Sequence, residues 1–331
     1  MPMQDSTQPL PLPRIGLSQG DFNGIGYELM LKTFSDARMF ESLTPVLYGQ
    51  SKVFSYYKKN FAMELPNYSL TRDARQAWDK KFNIINMVEQ ELKIEPGLPS
   101  NVSAEMSVRS MKRAADDLRN GIIDALVMTP DSPLVAQSNR DFLMSFFKDA
   151  NPVQVLVNGT MRVALATGDM PLRSALDKMD TPYLVGKLVA LAQALKTDFN
   201  IASPKIAVMG LNPHSGATPA GDDEKVVKAV KEAQDKGVFA FGPFSSSQLF
   251  VAGWWKKYDA VMALHYEQGV FPMRFLSNEG YAYYWAGLPV VCAAPLHGPA
   301  FDIANQNLAD PVSYRKALFL AADIVNLRRQ Q

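Results

Sequence analysis

The amino-acid sequence predicts an α/β fold in which parallel sheets are covered by helices on both faces. Short apolar and β-branched runs alternate along the chain with longer helical patterns. The runs are continuously apolar, as strands are when both faces of their sheet are buried. The 331 residues, of which 47% are hydrophobic and 20% charged, suffice for about two domains with sizeable cores.

The chain opens with a predicted strand over 14–18 ("RIGLS") and a helix that begins near Gly24. "TPVLYG" is predicted to be a strand that leads into the helical segment "SKVFSYYKKNF". The clearest helix is expected over 103–120, where apolar residues recur at helical spacing. We expect Ser103 to cap the start of this helix and Gly121 to end it.

Four further strands are predicted, over 122–128, 161–167, 205–211 and 258–264. Helical patterns are predicted between and after them, over 181–199, 222–236, 246–257 and 311–328. Five polar segments come directly after predicted strands, namely "SQGDFNGIG", "MTPDS", "ATGD", "GLNPH" and "LHYEQG". Because ligands collect outside the carboxyl ends of parallel strands, these segments are the candidate binding sites.

The chain has three histidines, and two of them come after predicted strands. His214 is either a hydrogen-bonded loop residue or a metal ligand. His265 and Glu267 would lie on the same side of an extended segment. Beside His214, these two groups could bind a divalent ion, since imidazole and carboxylate both suit zinc. Asp169 is either a helix cap or a further ligand.

Composition excludes several classes of function. The formal net charge is +1 without runs of like charge, which predicts neither nucleic-acid binding nor attraction to an anionic membrane. No apolar run approaches the ~20 residues that cross a bilayer. Residues 1–13 lack the basic start and apolar core of a secretory signal and are expected to form a flexible lead. The single cysteine, Cys292, suits a reducing compartment, so we expect a cytoplasmic location.

In the same order along the chain, these segments resemble motifs of the 4-hydroxythreonine-4-phosphate dehydrogenase family of vitamin B6 biosynthesis. "GDFNGIGYE" is similar to G-D-x-x-G-I-G-x-E, and "IDALVMTP" is similar to D-A-L-V-T-A-P. "RVALATGDMPL" and "IAVMGLNPHSG" resemble R-V-A-L-x-T-x-H-x-P-L and I-A-V-x-x-L-N-P-H-A-G. "DAVMALHYEQG" and "GLPVVCAAPLHGPAFDIA" resemble D-A-V-x-A-M-Y-H-D-Q-G and G-L-P-x-x-R-T-S-x-x-H-G-T-A-x-D-I-A. The resemblance extends from about residue 14 to residue 328.

The resemblance implies a homodimer whose subunits have two α/β domains flanking a cleft, like isocitrate and isopropylmalate dehydrogenases. The first domain would comprise 14–128 plus 290–331. The second, 129–289, would carry dimerisation and most metal and substrate positions. The family uses NAD (or NADP) and a divalent metal, here zinc, magnesium or cobalt, to oxidise the hydroxyl of 4-phosphohydroxy-threonine, and the β-keto acid formed can lose CO₂. The metal would polarise the alcohol while hydride passes to the nicotinamide.

The family's three metal-binding histidines correspond to Asp169, His214 and Tyr266, so this chain keeps one of them. Asp169 could still bind a metal through its carboxylate. A neutral tyrosine is a poor ligand unless it ionises, and its reference pKa is about 10. His265 is a displaced alternative, one position early, and would face away from the site unless the register shifted.

The predicted substrate positions depart from the family as well. Asn139 and Arg140 replace a His and a Thr, whereas Arg274 replaces a Lys and keeps a charge for phosphate. Tyr283 replaces an Asn, and Cys292 replaces an Arg that would be a bidentate partner for phosphate or carboxylate. These replacements indicate a different ligand or a loss of catalysis.

The resemblance assigns cofactor binding to the loop before the last helix, at His297, Gly298, Ala300 and Asp302. The alternative interpretation is an ordinary loop in which Asp302 caps the segment after it. Family Thr and Gly positions in this loop are Pro299 and Asn305 here.

The sequence supports three functional hypotheses. The first is an NAD-dependent, metal-assisted dehydrogenase of this family with an altered substrate or reduced activity, supported by His214, Arg274 and "HGPAFDIA". The second is a non-catalytic homologue that binds a ligand or a partner protein. The third is an active enzyme for another substrate, with Arg140 as a relocated anion contact.

Overall fold

The structure, a computed structural model, describes residues 11–63, 68–135, 139–148, 150–215 and 221–331. Arg140 is described by its backbone alone, and most of the predicted flexible lead lies outside the described residues. Strands and helices alternate along this part of the chain, which confirms the predicted α/β class.

Most of the first elements occur where the sequence places them, whereas α2, β3 and β4 were not predicted. In chain order the first elements are β1 (Arg14–Ser18), α1 (Gly26–Phe34), α2 (Met39–Ser42), β2 (Thr44–Gly49), α3 (Ser51–Asn60), β3 (Ser69–Leu70), β4 (Asn83–Asn86), α4 (Asn101–Arg119) and β5 (Ala125–Val127). The remaining elements are α5 (Asn139–Phe146), β6 (Val153–Asn158), β7 (Met161–Leu165), α6 (Leu172–Lys178), α7 (Thr181–Thr197), β8 (Lys205–Met209), α8 (Asp222–Asp235), β9 (Phe239–Phe244), β10 (Ala260–Ala263), α9 (Tyr266–Leu276), β11 (Ala282–Ala286), β12 (Val291–Pro295) and α10 (Val312–Gln330).

Two predictions about helices were wrong. The cap of α4 is Ser100, whose hydroxyl accepts the backbone N–H of Ser103 at 3.0 Å. The Ser103 hydroxyl in turn accepts the Ser100 N–H at 3.2 Å, so the pair forms a capping box. The predicted helix over 246–257 is instead two short turns, because Gly253 between them adopts a left-handed backbone with φ 71°.

The described strands form one sheet in the order β3-β4-β2-β1-β5-β12-β11-β6-β7-β10-β8-β9. The prediction of parallel strands was only partly right, since β11 pairs antiparallel with both β12 and β6, and β6 pairs antiparallel with β7. β6 and β7 form a hairpin whose connecting Gly159 has φ 58°. Continuously apolar strands indicate that both faces of a sheet are buried, which is typical of parallel sheets but does not determine the direction of each strand.

The antiparallel pairs divide the sheet into two halves that run in opposite directions. The carboxyl ends of β1, β5 and β12 lie at one edge, and those of β7, β8 and β10 lie at the other. The strands of the predicted first domain form one half and those of the predicted second domain form the other. The five polar strand-end segments therefore lie at two opposite ends of the sheet.

Two apolar layers cover the two faces of this sheet. Side chains alternate between faces along a strand, so Tyr283 and Trp285 of β11 lie in one layer and Tyr284 in the other. Cys292 of β12 shares the layer of Tyr283 and Trp285. The central antiparallel strands thus present a row of large polar and aromatic side chains to one face.

Candidate active site

A cavity of about 340 Å³ lies over the antiparallel centre of the sheet. Segments from both halves of the sheet line it: Asp131, Ser132, Val135, Asn139, Gln154, Asp169, Tyr266, Tyr283, Trp285, Ala294, Pro295, Leu296 and His297. A larger groove of about 930 Å³ lies near α7 and α10. It contains none of the predicted site residues, and its Arg328 is already paired with Asp198 at 2.7 Å.

The floor of the cavity is built by β6, β11 and β12. Gln154 and Trp285 are directly opposite each other across β6 and β11, and Tyr283 is opposite Ala294 of β12. Trp285 is 2% exposed. Its indole Nε1 and the Oε1 of Gln154 are both buried without a hydrogen-bond partner among the described residues. Such groups cost free energy unless a ligand or water pairs with them.

His297 enters the cavity from the loop after β12. The start of this loop is held by the Ser313 hydroxyl, which accepts the Leu296 N–H at 2.8 Å and donates to the Tyr281 carbonyl at 2.6 Å. Burial lowers the pKa of His297, and the nearby Asp310 opposes that shift. The imidazole is therefore neutral near pH 7, and its buried Nδ1 lacks a partner in the described structure.

Asp131 lies at the opposite wall, in the "MTPDS" segment after β5. Its carboxylate accepts a hydrogen bond from Ser107 of α4. Burial raises the pKa of Asp131 to about 6, with the hydrogen bond from Ser107 opposing and the charge of Asp21 adding to the rise. Asp131 can therefore exchange a proton close to neutral pH.

A row of tyrosines connects the cavity to Arg274. The Tyr266 and Tyr283 hydroxyls are 3.5 Å apart, and the rings of Tyr281 and Tyr283 pack edge to face at 5.5 Å. The exposed Arg274 of α9 donates from Nε to the Tyr281 hydroxyl at 3.3 Å. Burial raises the pKa of Tyr283, so this hydroxyl stays protonated. Arg274 thus brings a positive charge toward the cavity without lining it.

The structure brings five of the predicted site residues to this one cavity: Asn139, Asp169, Tyr266, Tyr283 and His297. Asp169 is exposed after β7, and Tyr266 is the first residue of α9. The side chain of Arg140 lies outside the described structure. Cys292 is fully buried in the same layer as Tyr283 and Trp285 and does not line the cavity, and burial raises the pKa of its thiol to about 12. The structure therefore does not bring Cys292 to the predicted substrate position.

His265 and Glu267 face a separate cavity of about 620 Å³ with Asn212 and Pro213. The predicted extended segment was wrong, because β10 ends at Ala263 and His265 already occupies the cap position of α9. Burial lowers the pKa of His265, and Glu267 opposes the shift. Gln268 accepts the Leu264 N–H and donates to the Gly210 carbonyl, both at 2.7 Å, and so ties the ends of β10 and β8 together.

The predicted metal ligands do not fit a metal centre within one chain. His214 is exposed and lies beyond Asn212 and Pro213, which line the His265 cavity and not the cavity of Asp169 and Tyr266. Among the described residues, no three His, Cys, Asp or Glu side chains are grouped to hold an ion. A tyrosine hydroxyl and one carboxylate form a weak donor set for zinc, so the residues present do not fit the metal that the family resemblance implies.

The predicted cofactor loop packs against the "GDFNGIG" turn. The N–H of Ile25 donates to the Pro299 carbonyl at 3.0 Å. A side chain at Gly24 would come within 2.6 Å of that oxygen, which explains the glycine. Ala300 and Asn305 have φ 43° and 63°, and asparagine tolerates this conformation where the family has glycine. Gly298 and Asp302 do not line the cavity, and Asp302 accepts Gln306 Nε2 through its carbonyl at 2.7 Å.

Asp131, Gln154 and Trp285 are cavity residues that sequence reasoning did not assign. The signal for Asp131 was present, since "MTPDS" comes after a predicted strand. Gln154 and Trp285 lie within β6 and β11, which the sequence pattern did not predict. A glutamine and a tryptophan in apolar strands are the only sequence signals that could have indicated them.

Comparison with known proteins places the chain in a family. The model of the family described as "Pyridoxal phosphate biosynthetic protein PdxA" matches residues 41–321. The 4-hydroxythreonine-4-phosphate dehydrogenase of Bacteroides thetaiotaomicron is 33% identical over 329 residues, which cover 96% of this chain and 90% of that protein. The chain belongs to the PdxA family. This membership confirms the resemblance drawn from the motifs.

Solved structures of the PdxA family share the fold. The 4-hydroxythreonine-4-phosphate dehydrogenase of Burkholderia phymatum matches with a TM-score of 0.79 and 25% identity over 95% of this chain and 99% of that one. The Klebsiella pneumoniae enzyme of the same name matches with a TM-score of 0.81 and 24% identity, with the same coverage of 95% and 99%. Among the described helices, none is both long and apolar enough to span a membrane.

Proposed function

We propose that this chain is a dehydrogenase that oxidises the hydroxyl of a phosphorylated hydroxy acid with NAD or NADP, as 4-hydroxythreonine-4-phosphate dehydrogenases do. The observation that carries the proposal is the cavity at the centre of the sheet. It gathers five residues at family site positions, and the family match extends over most of the chain. Buried polar atoms around this cavity that have no partner among the described residues support a bound ligand.

The cofactor would bind along the loop of His297, Gly298, Ala300 and Asp302. The buried Nδ1 of His297, which has no partner in the part of the chain that the structure describes, fits a group that supplies a polar atom at this wall. When bound, a nicotinamide dinucleotide accepts the hydride that oxidation of an alcohol releases. The neutral imidazole of His297 would orient that cofactor against the cavity.

The protein's own groups would handle the proton and the phosphate. Oxidation of an alcohol releases a proton, and Asp131, with a pKa of about 6, can take it up above that pH. Arg274 is exposed beside the tyrosine row and would hold the phosphate. Asn139 and Tyr283 would contact the remainder of the substrate.

We propose further that the chain acts as a cytoplasmic homodimer. Phe271 and Phe275 of α9 are 68% and 76% exposed, and their rings stack at 6.4 Å. Neighbouring exposed aromatic rings of this size favour burial against a second copy. Light scattering of the purified protein tests this: we expect a dimer that dissociates when Phe271 and Phe275 are replaced by Glu, and a monomeric wild-type chain would contradict it.

A non-catalytic ligand-binding role is the second candidate, favoured by the poor fit of the metal ligands. One experiment separates the two. We expect 4-phosphohydroxy-threonine with NAD or NADP to yield reduced cofactor, measured by absorbance, with the rate reduced by Asp131→Asn and unchanged by Asp116→Asn. Asp116 is an exposed carboxylate of α4 outside the cavity. Binding of the substrate without turnover would support the non-catalytic role.

A further inference from the structure

Trp285 and Gln154, on the floor of the cavity, each carry a buried polar atom that has no hydrogen-bond partner in the described part of the chain. They are directly opposite on antiparallel strands, where Cβ atoms lie about 4.5–5.5 Å apart. Both side chains line the cavity. Among the residues that the structure describes, the buried indole Nε1–H donor has no acceptor and the buried Oε1 acceptor of Gln154 has no donor.

A structural explanation for this pair is weak. Trp285 is 2% exposed, and buried tryptophan N–H groups usually find a partner. Aromatic packing of Trp285 with Tyr283, at 6.4 Å between ring centroids, needs no N–H at all. A methionine at position 154 would fill similar space without an unpaired oxygen. The two polar atoms therefore point to a ligand.

The arrangement of one donor beside one acceptor selects the chemistry of that ligand. An ammonium group has no lone pair for the indole N–H, and an oxyanion has no hydrogen for the Gln154 oxygen. A hydroxyl group satisfies both, because its oxygen accepts while its hydrogen is donated. We infer that Trp285 and Gln154 form a hydroxyl-binding pair that selects substrates carrying an alcohol at this point of the cavity.

The inference rests on the proposed function for the choice of probe, and a binding measurement tests it without turnover. The probes are 4-phosphohydroxy-threonine and its counterpart without the free hydroxyl, O-phosphohomoserine, titrated by calorimetry. We expect the wild-type chain to bind the hydroxyl compound about tenfold more tightly, as one or two neutral hydrogen bonds would give. In Trp285→Phe and Gln154→Met, this preference should fall to about twofold or less.

A matched control is Trp254→Phe, at a tryptophan that packs edge to face on Phe244 outside the cavity, and it should keep the tenfold preference. A preference that persists in both cavity variants would overturn the inference, as would a wild-type chain that binds the two compounds equally. If neither compound binds, both this inference and the proposed substrate class are overturned. If the chain binds the hydroxyl compound selectively but does not turn it over, the inference is supported and only the proposed activity is contradicted.

Thermal melting of the free protein separates a ligand-binding pair from a structural one. Gln154→Met removes an unpaired buried oxygen, so we expect its melting temperature to equal or exceed that of the wild type. A clear drop in the melting temperature, together with an unchanged preference for the hydroxyl compound, would assign Gln154 a structural role and overturn the inference.

Discussion

At the scale of single residues, Asp131 is the clearest case of a group whose ionisation opposes stability. Its folded-state pKa of about 6 exceeds the ordinary aspartate value. The stabilisation from its bound proton is therefore complete below the unfolded pKa of about 4 and is lost as pH rises through about 6. Above that pH the chain retains a carboxylate that costs folding free energy, which is typical of a functional group.

We expect Asp131→Asn to raise the free energy of unfolding at pH 8 by about 1–3 kcal/mol, because the amide is neutral and still accepts from Ser107. The gain should shrink as pH falls and vanish near pH 4. Denaturant unfolding at several pH values measures it, with Asp116→Asn as the exposed control. An equal difference at pH 8 and pH 4 would contradict the assigned pKa.

The family motifs predicted which residues lie at the site, but they could not predict the direction in which each side chain points. The motifs located Asp169, Tyr266 and His297, which share the cavity. They also assigned Cys292 to the substrate, although this side chain is fully buried. The sequence shows that Cys292 replaces the family arginine, but it does not show that this side chain is fully buried.

At the scale of elements, "LHYEQG" shows how one boundary decides the orientation of a site. If this segment were a strand, His265 and Glu267 would lie on one side of it and Tyr266 on the other. The structure starts α9 at Tyr266, and His265 and Tyr266 still face different cavities. Short apolar runs were predicted well as strands, whereas the turn to helix after β10 has no periodic signal.

Gln268 holds this turn in place through its two hydrogen bonds, so replacing it should destabilise the fold. We expect Gln268→Ala to lower the free energy of unfolding by about 2–4 kcal/mol, since the buried Leu264 N–H and Gly210 carbonyl would lose their partner. Gln193→Ala, at an exposed position of α7, should change it by less than about 0.5 kcal/mol. Equal stability of the two variants in denaturant would contradict this role.

At the scale of the whole molecule, the alternation of strands and helices fixed the class, and the direction of the central strands decided where the site lies. Because β11 and β6 reverse the sheet, polar segments from opposite edges meet over its middle. Neither β6 nor β11 was predicted as a strand, and the apolar runs that were predicted give little information on pairing. The division into domains 14–128 plus 290–331 and 129–289 remains a prediction, and it coincides with the two halves of the sheet.

The same arrangement leaves the predicted metal ligands apart, so we expect no tightly bound divalent ion. His214 is separated from the cavity of Asp169 and Tyr266, and two such donors hold zinc weakly. Elemental analysis of the purified protein should find far less than one equivalent of zinc, magnesium or cobalt. One equivalent of metal that disappears in His214→Ala would contradict this expectation.

Our central claim is that the cavity between Asp131, Trp285 and Tyr266 is the substrate site. A crystal structure of the protein grown with 4-phosphohydroxy-threonine tests it most directly. We expect ligand density on the floor formed by Trp285 and Gln154, with the phosphate directed toward Arg274. Density only in the His265 cavity, with the central cavity holding solvent alone, would contradict the claim.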